Sequence, residues 1–151
     1  MPVDIKDPPL PGSSKPEAPP LANSPHRSWG SEAASALVTA IYHQILERDP
    51  DSVGMIGWGA ALAGGGMTVR EVVRSIGKSE EYKNRFVLPW TPEHAVTVMY
   101  RHFLGRGPDA DGLRGNTKAL VEKGYQFAID IFVDSQEYKD QYGEDSVPHN
   151  R

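Results

Sequence analysis

The stretch YHQILERDPD at residues 42–51 returns as YRHFLGRGPD at residues 100–109, with Tyr42, Leu46, Arg48, Pro50 and Asp51 repeated at an offset of 58. Upstream, Leu37, Val38, Ile41, Tyr42, Ile45 and Leu46 meet Ala95, Val96, Met99, Tyr100, Phe103 and Leu104 at that same offset of 58. Apolar residues spaced by three and four mark one face of a helix, so both segments are read as amphipathic helices. Downstream, Gly54 meets Gly112, Gly57 meets Gly115 and Gly66 meets Gly124, and the two copies close with SEEYK at 79–83 and SQEYK at 135–139. The chain is an internal duplication.

Cap signals agree with helices throughout. Thr91-Pro92-Glu93 supplies a cap oxygen, a proline suited to the first turn and an acid at the positive end of the dipole. Thr68 and Glu71 form a capping-box pattern, and Ser79 and Ser135 each precede acidic or amide residues and a tyrosine. Gly66 and Gly124 each lead into a new helix and are expected in turn conformations with positive φ. No alternating strand pattern of useful length occurs. The expected fold is all-α: two related helical halves, about 31–88 and 89–145, within a helical domain over 31–151. An extended Pro-rich arm over 1–30 precedes it.

The arm is set apart by composition. Of 13 prolines, eight fall at Pro2, Pro8, Pro9, Pro11, Pro16, Pro19, Pro20 and Pro25, which excludes a helix or central strand there. Its three basic residues (Lys6, Lys15, Arg27) balance three acidic ones (Asp4, Asp7, Glu17), and its few apolar groups cannot offset the entropy of ordering it alone. A partner surface is the expected support. Leu10, Leu21 and Trp29 are the large apolar anchors between the prolines.

The chemistry of most site classes is missing. There is no cysteine, hence no disulfide, thiolate metal site or cysteine nucleophile. Asp49-Pro50-Asp51 and Asp109-Ala110-Asp111-Gly112 begin like calcium loops, but the closing glutamate position holds Ala60 in one copy and Leu120 in the other, so helix caps are the better reading. The histidines, at 26, 43, 94, 102 and 149, include no i, i+4 pair. Gly64-Gly65-Gly66 lacks the Lys-Ser/Thr of a nucleotide loop, and no nucleophile elbow or carboxylate pair outside the caps is visible. No enzymatic activity and no cofactor are expected. A net charge of −4 argues against nucleic-acid binding, and no apolar run approaches the 20 or so residues of a membrane span.

Arg48 and Arg106 recur at equivalent helix ends, where a cation favours the dipole and can bond terminal carbonyls; clamping a carboxylate on a partner is the alternative. Tyr42, Tyr82, Tyr100 and Tyr138 are expected in the core with hydroxyls at a polar rim. Trp29 and Trp90 stand at segment boundaries and are the better candidates for an interface, whereas Trp58 sits among small residues in a helical region. Arg101 and Arg106 offer a local basic patch.

The ordered set of YHQILERDP, SEEY, YRHFLGRGP at 100–108, Gly124-Tyr125, DSQEY at 134–138 and the ending YGEDSVP at 142–148 resembles the phycobilisome linker polypeptides over about residues 33 to 151. The resemblance implies a colourless, non-catalytic protein that sits inside phycobiliprotein rings, joins disc to disc or rod to core, and adjusts nearby bilins. It implies phycobiliproteins or another photosynthetic complex as partners and a cytoplasmic location at the surface of a photosynthetic membrane. Leu10, Leu21, Trp29, Trp90, Arg101, Arg106 and Tyr125 are the expected partner-binding residues. The first half is also similar to a bacterial repeat domain whose units end in Ser-x-Glu-Tyr, which implies the alternative of a module in a cell-surface or extracellular assembly.

Overall fold

The computed structural model describes residues 28–151. The expected arm lies outside the described residues apart from Ser28, Trp29 and Gly30, and Leu10 and Leu21 lie outside them as well. Among the described residues there are eight α-helices and no strand, as the periodicity predicts.

The first copy contains α1 (Ser31–Ile41), running on as a π-helical turn Tyr42–Leu46, then α2 (Ser52–Ala63), α3 (Val69–Gly77) and α4 (Glu80–Tyr82), itself extended by a π-helical turn Lys83–Val87. The second contains α5 (Pro92–Met99) with its π-helical turn Tyr100–Leu104, then α6 (Ala110–Lys123), α7 (Tyr125–Val133) and α8 (Gln136–Gln141). The order of the four α-helices repeats, with a widened turn after both α1 and α5; the π-helical turn that extends α4 has no counterpart after α8. Each of those turns ends on a left-handed residue, Glu47 at φ 56° and Gly105 at φ 71°.

The caps explain the boundaries. Asp51 accepts from the Gly54 N–H at 2.7 Å and Asp109 from the Gly112 N–H at 3.0 Å, so these aspartates cap the starts of α2 and α6. Thr68 and Glu71 bond reciprocally, the Glu71 N–H to Thr68 Oγ1 at 3.0 Å and the Thr68 N–H to Glu71 Oε1 at 2.9 Å. Ser79, Thr91 and Ser135 cap the N–H groups of Tyr82, His94 and Tyr138. Gly124 has the expected positive φ, 94°, but in the first copy the left-handed residue is Gly65 at 74°, one position before Gly66. The Gly66 N–H instead closes the end of α2 on the Ala61 carbonyl, at 3.0 Å.

The chain forms two compact units, one ending at Val72 and one running from Val73 to Arg151, so the division falls inside α3. In the first unit α1 packs on α2, with Val38, Ile41, Ile45 and Leu62 fully buried. The Tyr42 hydroxyl occupies the space a Cβ on Gly54 would need, 2.0 Å away. The Trp29 N–H reaches the Leu62 carbonyl at 3.4 Å. In the second unit α5 packs on α6 and α6 on α7. Its centre is aromatic: Phe103 lies 5.7 Å from the Tyr82 ring and 6.3 Å from the Phe132 ring, and Tyr100 meets Phe132 edge-on at 4.8 Å. Tyr82 does not send its hydroxyl to a polar rim; it bonds Nδ1 of the buried His102 at 2.8 Å, which satisfies both groups inside the core.

Candidate docking surface

Arg106 is held inside the second unit. Its guanidinium grips Glu137 in a fork, Nε to Oε2 and Nη2 to Oε1, both at 2.7 Å, and lies 5.1 Å over the Tyr100 ring. Arg151 also bonds Glu137, while its Nε donates to the Leu104 carbonyl at 2.9 Å. The fork that could have clamped a partner's carboxylate is therefore occupied by one of the chain's own. Arg48 lies over Tyr42 at the equivalent 5.1 Å, and both arginines bond a carbonyl just past the helix, Asp49 at 2.8 Å and Gly107 at 2.9 Å, in place of the last helical carbonyls.

Two cations on one anion hold the Glu137 carboxyl down at about 2, the hydrogen bond from Arg106 being the largest cause. The same bond raises Arg106, and burial raises the Tyr100 hydroxyl. A depressed carboxylate adds stability that is complete above its unfolded value of about 4.5 and is lost as pH falls through about 2. With 37% of the Arg106 side chain and 30% of Glu137 exposed, solvent screening limits the contribution to about 1 kcal/mol. Urea unfolding of Glu137→Gln at pH 7 should show a loss of that size, and the gap from the parent should close between pH 4.5 and pH 2. A gap that persists at pH 2 would mean that packing, not charge, is what the glutamate provides.

The remaining expected residues divide by location. Tyr125 is half-buried, its hydroxyl donating to the Lys78 carbonyl at 2.6 Å with the Lys83 ammonium 5.7 Å over its ring, so it ties α7 to the end of α3. Trp29 is half-buried in the first unit. Trp90 is 51% exposed, anchored by its indole N–H on the Arg85 carbonyl at 3.1 Å and packed at a tilt of 31° against the His94 ring, 4.6 Å away. From His94 to Arg101 is two turns along the helix, so Trp90, His94 and Arg101, all exposed, follow one stripe, and Leu88, 65% exposed, adjoins Trp90 in sequence. Trp90 and Arg101 are thus exposed two turns apart along one side of the helix, whereas Arg106 and Tyr125 are engaged within the chain. Sequence reading missed His94, although its spacing of four from Trp90 was the available signal, and it missed Glu137, which only the folded chain brings to Arg106.

No helix among the described residues is long and apolar enough to cross a membrane, and none of their His, Asp and Glu groups is arranged to hold a metal ion. The phycobilisome linker polypeptide family matches residues 29–151, which takes in all eight helices and both copies. The chain belongs to that family. It is 34% identical over 138 residues to the phycoerythrin-associated rod linker polypeptide of 31.8 kDa from Microchaete diplosiphon, covering 89% of this chain and 48% of that one. Identity to the phycocyanin-associated rod linker of 32.1 kDa from Mastigocladus laminosus is 34% over 123 residues, covering 80% of this chain and 43% of the relative. Identity to the phycobiliprotein ApcE of Nostoc sp. is 35% over 127 residues, 81% of this chain and 11% of that protein. The chain spans less than half the length of each of these relatives.

Proposed function

We propose that the chain is a non-catalytic linker that organises phycobiliproteins in a light-harvesting antenna of the phycobilisome type. The observation that carries this reading is the family match over residues 29–151, which spans both copies of the duplication. The relatives, rod linkers associated with phycoerythrin and phycocyanin, supply the partner class. On this reading the chain resides with the antenna, on the cytoplasmic face of a photosynthetic membrane, and is held there by protein contacts.

The contact we assign to the second copy is the stripe Leu88, Trp90, His94 and Arg101. A flat aromatic pinned by its own N–H gives large contact area at little entropy cost, and an exposed arginine adds directional bonding to carboxylates. The arm anchors Leu10 and Leu21 join this assignment as a tether that raises effective concentration. The test is a Trp90→Ala/Arg101→Glu double variant, co-purified with phycobiliprotein from an antenna-containing host. Loss of at least about tenfold in bound, coloured protein is expected, since interface tryptophans and arginines commonly contribute more than one such factor. The stability of the free chain should change by no more than about 1 kcal/mol, because both groups are exposed. Undiminished co-purification would move the contact elsewhere.

A further inference from the structure

The duplication offers an internal control on which exposed residues the fold itself requires. Positions 53, 56 and 60 of α2 correspond, at the offset of 58, to Asp111, Arg114 and Lys118 of α6. In α6 these positions face solvent, with Asp111 and Arg114 forming an ion pair while 88% and 74% of their side chains stay exposed. In α2 the same positions hold Val53, Ile56 and Ala60, and Val53 is 80% and Ile56 70% exposed. Gly57 lies between them with open space where a Cβ would stand, as it does at its counterpart Gly115. The helix geometry therefore accepts charge at these positions, yet α2 carries no charged residue over its whole length. Core packing does not account for the apolar ridge.

The surroundings of the ridge indicate what covers it. The chain enters α2 through Asp49 and Asp51, both exposed, with Glu47 two residues earlier, also exposed. His43 hydrogen-bonds Asp49 at 2.5 Å, and Arg48 lies over Tyr42, bonds the Asp49 carbonyl and pairs with Asp51 at 3.5 Å, so this guanidinium stands against the three carboxylates of Glu47, Asp49 and Asp51. The far end of α2 runs into Gly64-Gly65-Gly66 with no basic residue in its last turn. A second copy laid antiparallel on the ridge would thus bring uncharged glycines and the negative end of a helix dipole to this acidic entrance, which disfavours self-pairing.

We propose that the α2 face, Val53, Ile56 and Ala60 beside Gly57, docks an apolar helical segment of another protein that carries lysine or arginine at the end meeting Asp49 and Asp51. The small residues at 57 and 60 let such a helix approach closely, and the apolar side chains supply the buried area. The Trp90 stripe and this face would then serve different partners. The proposal does not depend on the antenna reading, because it names the partner's chemistry and not its source.

The test uses the full chain, labelled with 15N, and two synthetic helical peptides of one Leu/Ala pattern, ending in three lysines or in three glutamates. Amide signals of residues 52–60 should shift with the lysine peptide only. Val53→Asp/Ile56→Arg, which installs the residues of α6, should weaken that binding at least about tenfold, the expected loss for two apolar anchors, with the melting temperature preserved. Equal response to both peptides, or to neither, overturns the proposal. So does a dimer in sedimentation that the double variant abolishes, which would assign the face to a second copy. Shifts at 52–60 in free Leu10→Ala/Leu21→Ala would overturn it as well, by assigning the face to the chain's own arm. Failure of this test leaves the Trp90 co-purification unaffected, and the converse also holds.

Discussion

Replacing Gly105 with alanine is expected to cost about 4 kcal/mol, more than any surface change in the chain. Two effects add. At φ 71° an L side chain sits in the left-handed region, which costs about 1–2 kcal/mol. A Cβ built there also meets the His149 carbonyl oxygen at 2.0 Å and the Tyr142 hydroxyl at 2.9 Å, and crowding of this kind costs about 1–3 kcal/mol. The second effect decides the matter, because Glu47 takes φ 56° at the same point of the first copy and carries a full, exposed side chain. The glycine is needed because the C-terminal segment lies against it. The Arg151 N–H donates to the Gly105 carbonyl at 2.8 Å, and the Tyr142 hydroxyl lies between the carbonyls of Leu104 and His149, at 3.1 and 3.0 Å. Gly105→Ala should therefore speed amide exchange of Arg151 and lower the urea midpoint sharply, while Glu47→Ala changes stability by less than about 1 kcal/mol. Equal effects at the two sites would show that backbone conformation alone sets the requirement.

What the sequence revealed and what it concealed follow from the range of the interactions. Caps act over three residues, so Asp51, Thr68, Ser79, Thr91, Asp109 and Ser135 could be assigned from local pattern, and each makes its bond. The widened turns at Tyr42–Leu46 and Tyr100–Leu104 could not, because over a single turn the apolar spacing of a π-helix and an α-helix coincide. Among Gly64, Gly65 and Gly66 any one can take positive φ, and only the hydrogen bonds that end α2 select Gly65. The stripe proposed to bind a partner was half legible: Trp90 and Arg101 could be chosen as residue types suited to interfaces, but not that Arg106 would be drawn inward by Glu137.

A charge pattern hidden in the duplication has the same origin. The two copies of the α3/α7 helix are displaced by 56 residues, which makes Arg74 the counterpart of Asp130 and Lys78 the counterpart of Asp134. In the fold the cations in and just after α3 meet the anions in and just after α7: Arg74 with Asp130 at 2.6 Å and Asp134 at 2.5 Å, and Lys78 with Asp130 at 2.7 Å. Hydrogen bonding to Asp134, the largest cause, raises the Arg74 pKa. Two identical copies of either helix would place like charges opposite each other, so the opposite signs favour pairing of unlike copies within one chain. The cluster is half-exposed, which makes it a device of pairing specificity more than of stability.

Volume is traded between the copies as well, and this leads to the second large effect expected. Gly77 of α3 corresponds to Val133 of α7, and Phe103 corresponds to Ile45. The contact between Gly77 of the first copy and Phe103 of the second thus combines glycine with phenylalanine, where the counterpart positions 133 and 45 hold valine and isoleucine. A Cβ on Gly77 would stand 2.7 Å from Phe103 Cζ and 3.1 Å from Ile129 Cγ2, and both rings and chains there are fully buried. Helix propensity alone would favour Gly77→Val by a few tenths of a kcal/mol, whereas forcing extra methyl groups against a locked ring costs about 3 kcal/mol. Packing wins, so the single variant should be less stable by roughly that amount. Phe103→Ile alone should lose about 2 kcal/mol by leaving a cavity. Combined, the two install the valine and isoleucine of the counterpart positions 133 and 45, and the double variant should be more stable than the sum of the singles predicts by about 1–3 kcal/mol. Urea unfolding of the four proteins gives that coupling directly. Strict additivity would mean that Gly77 is small for a reason other than the Phe103 ring.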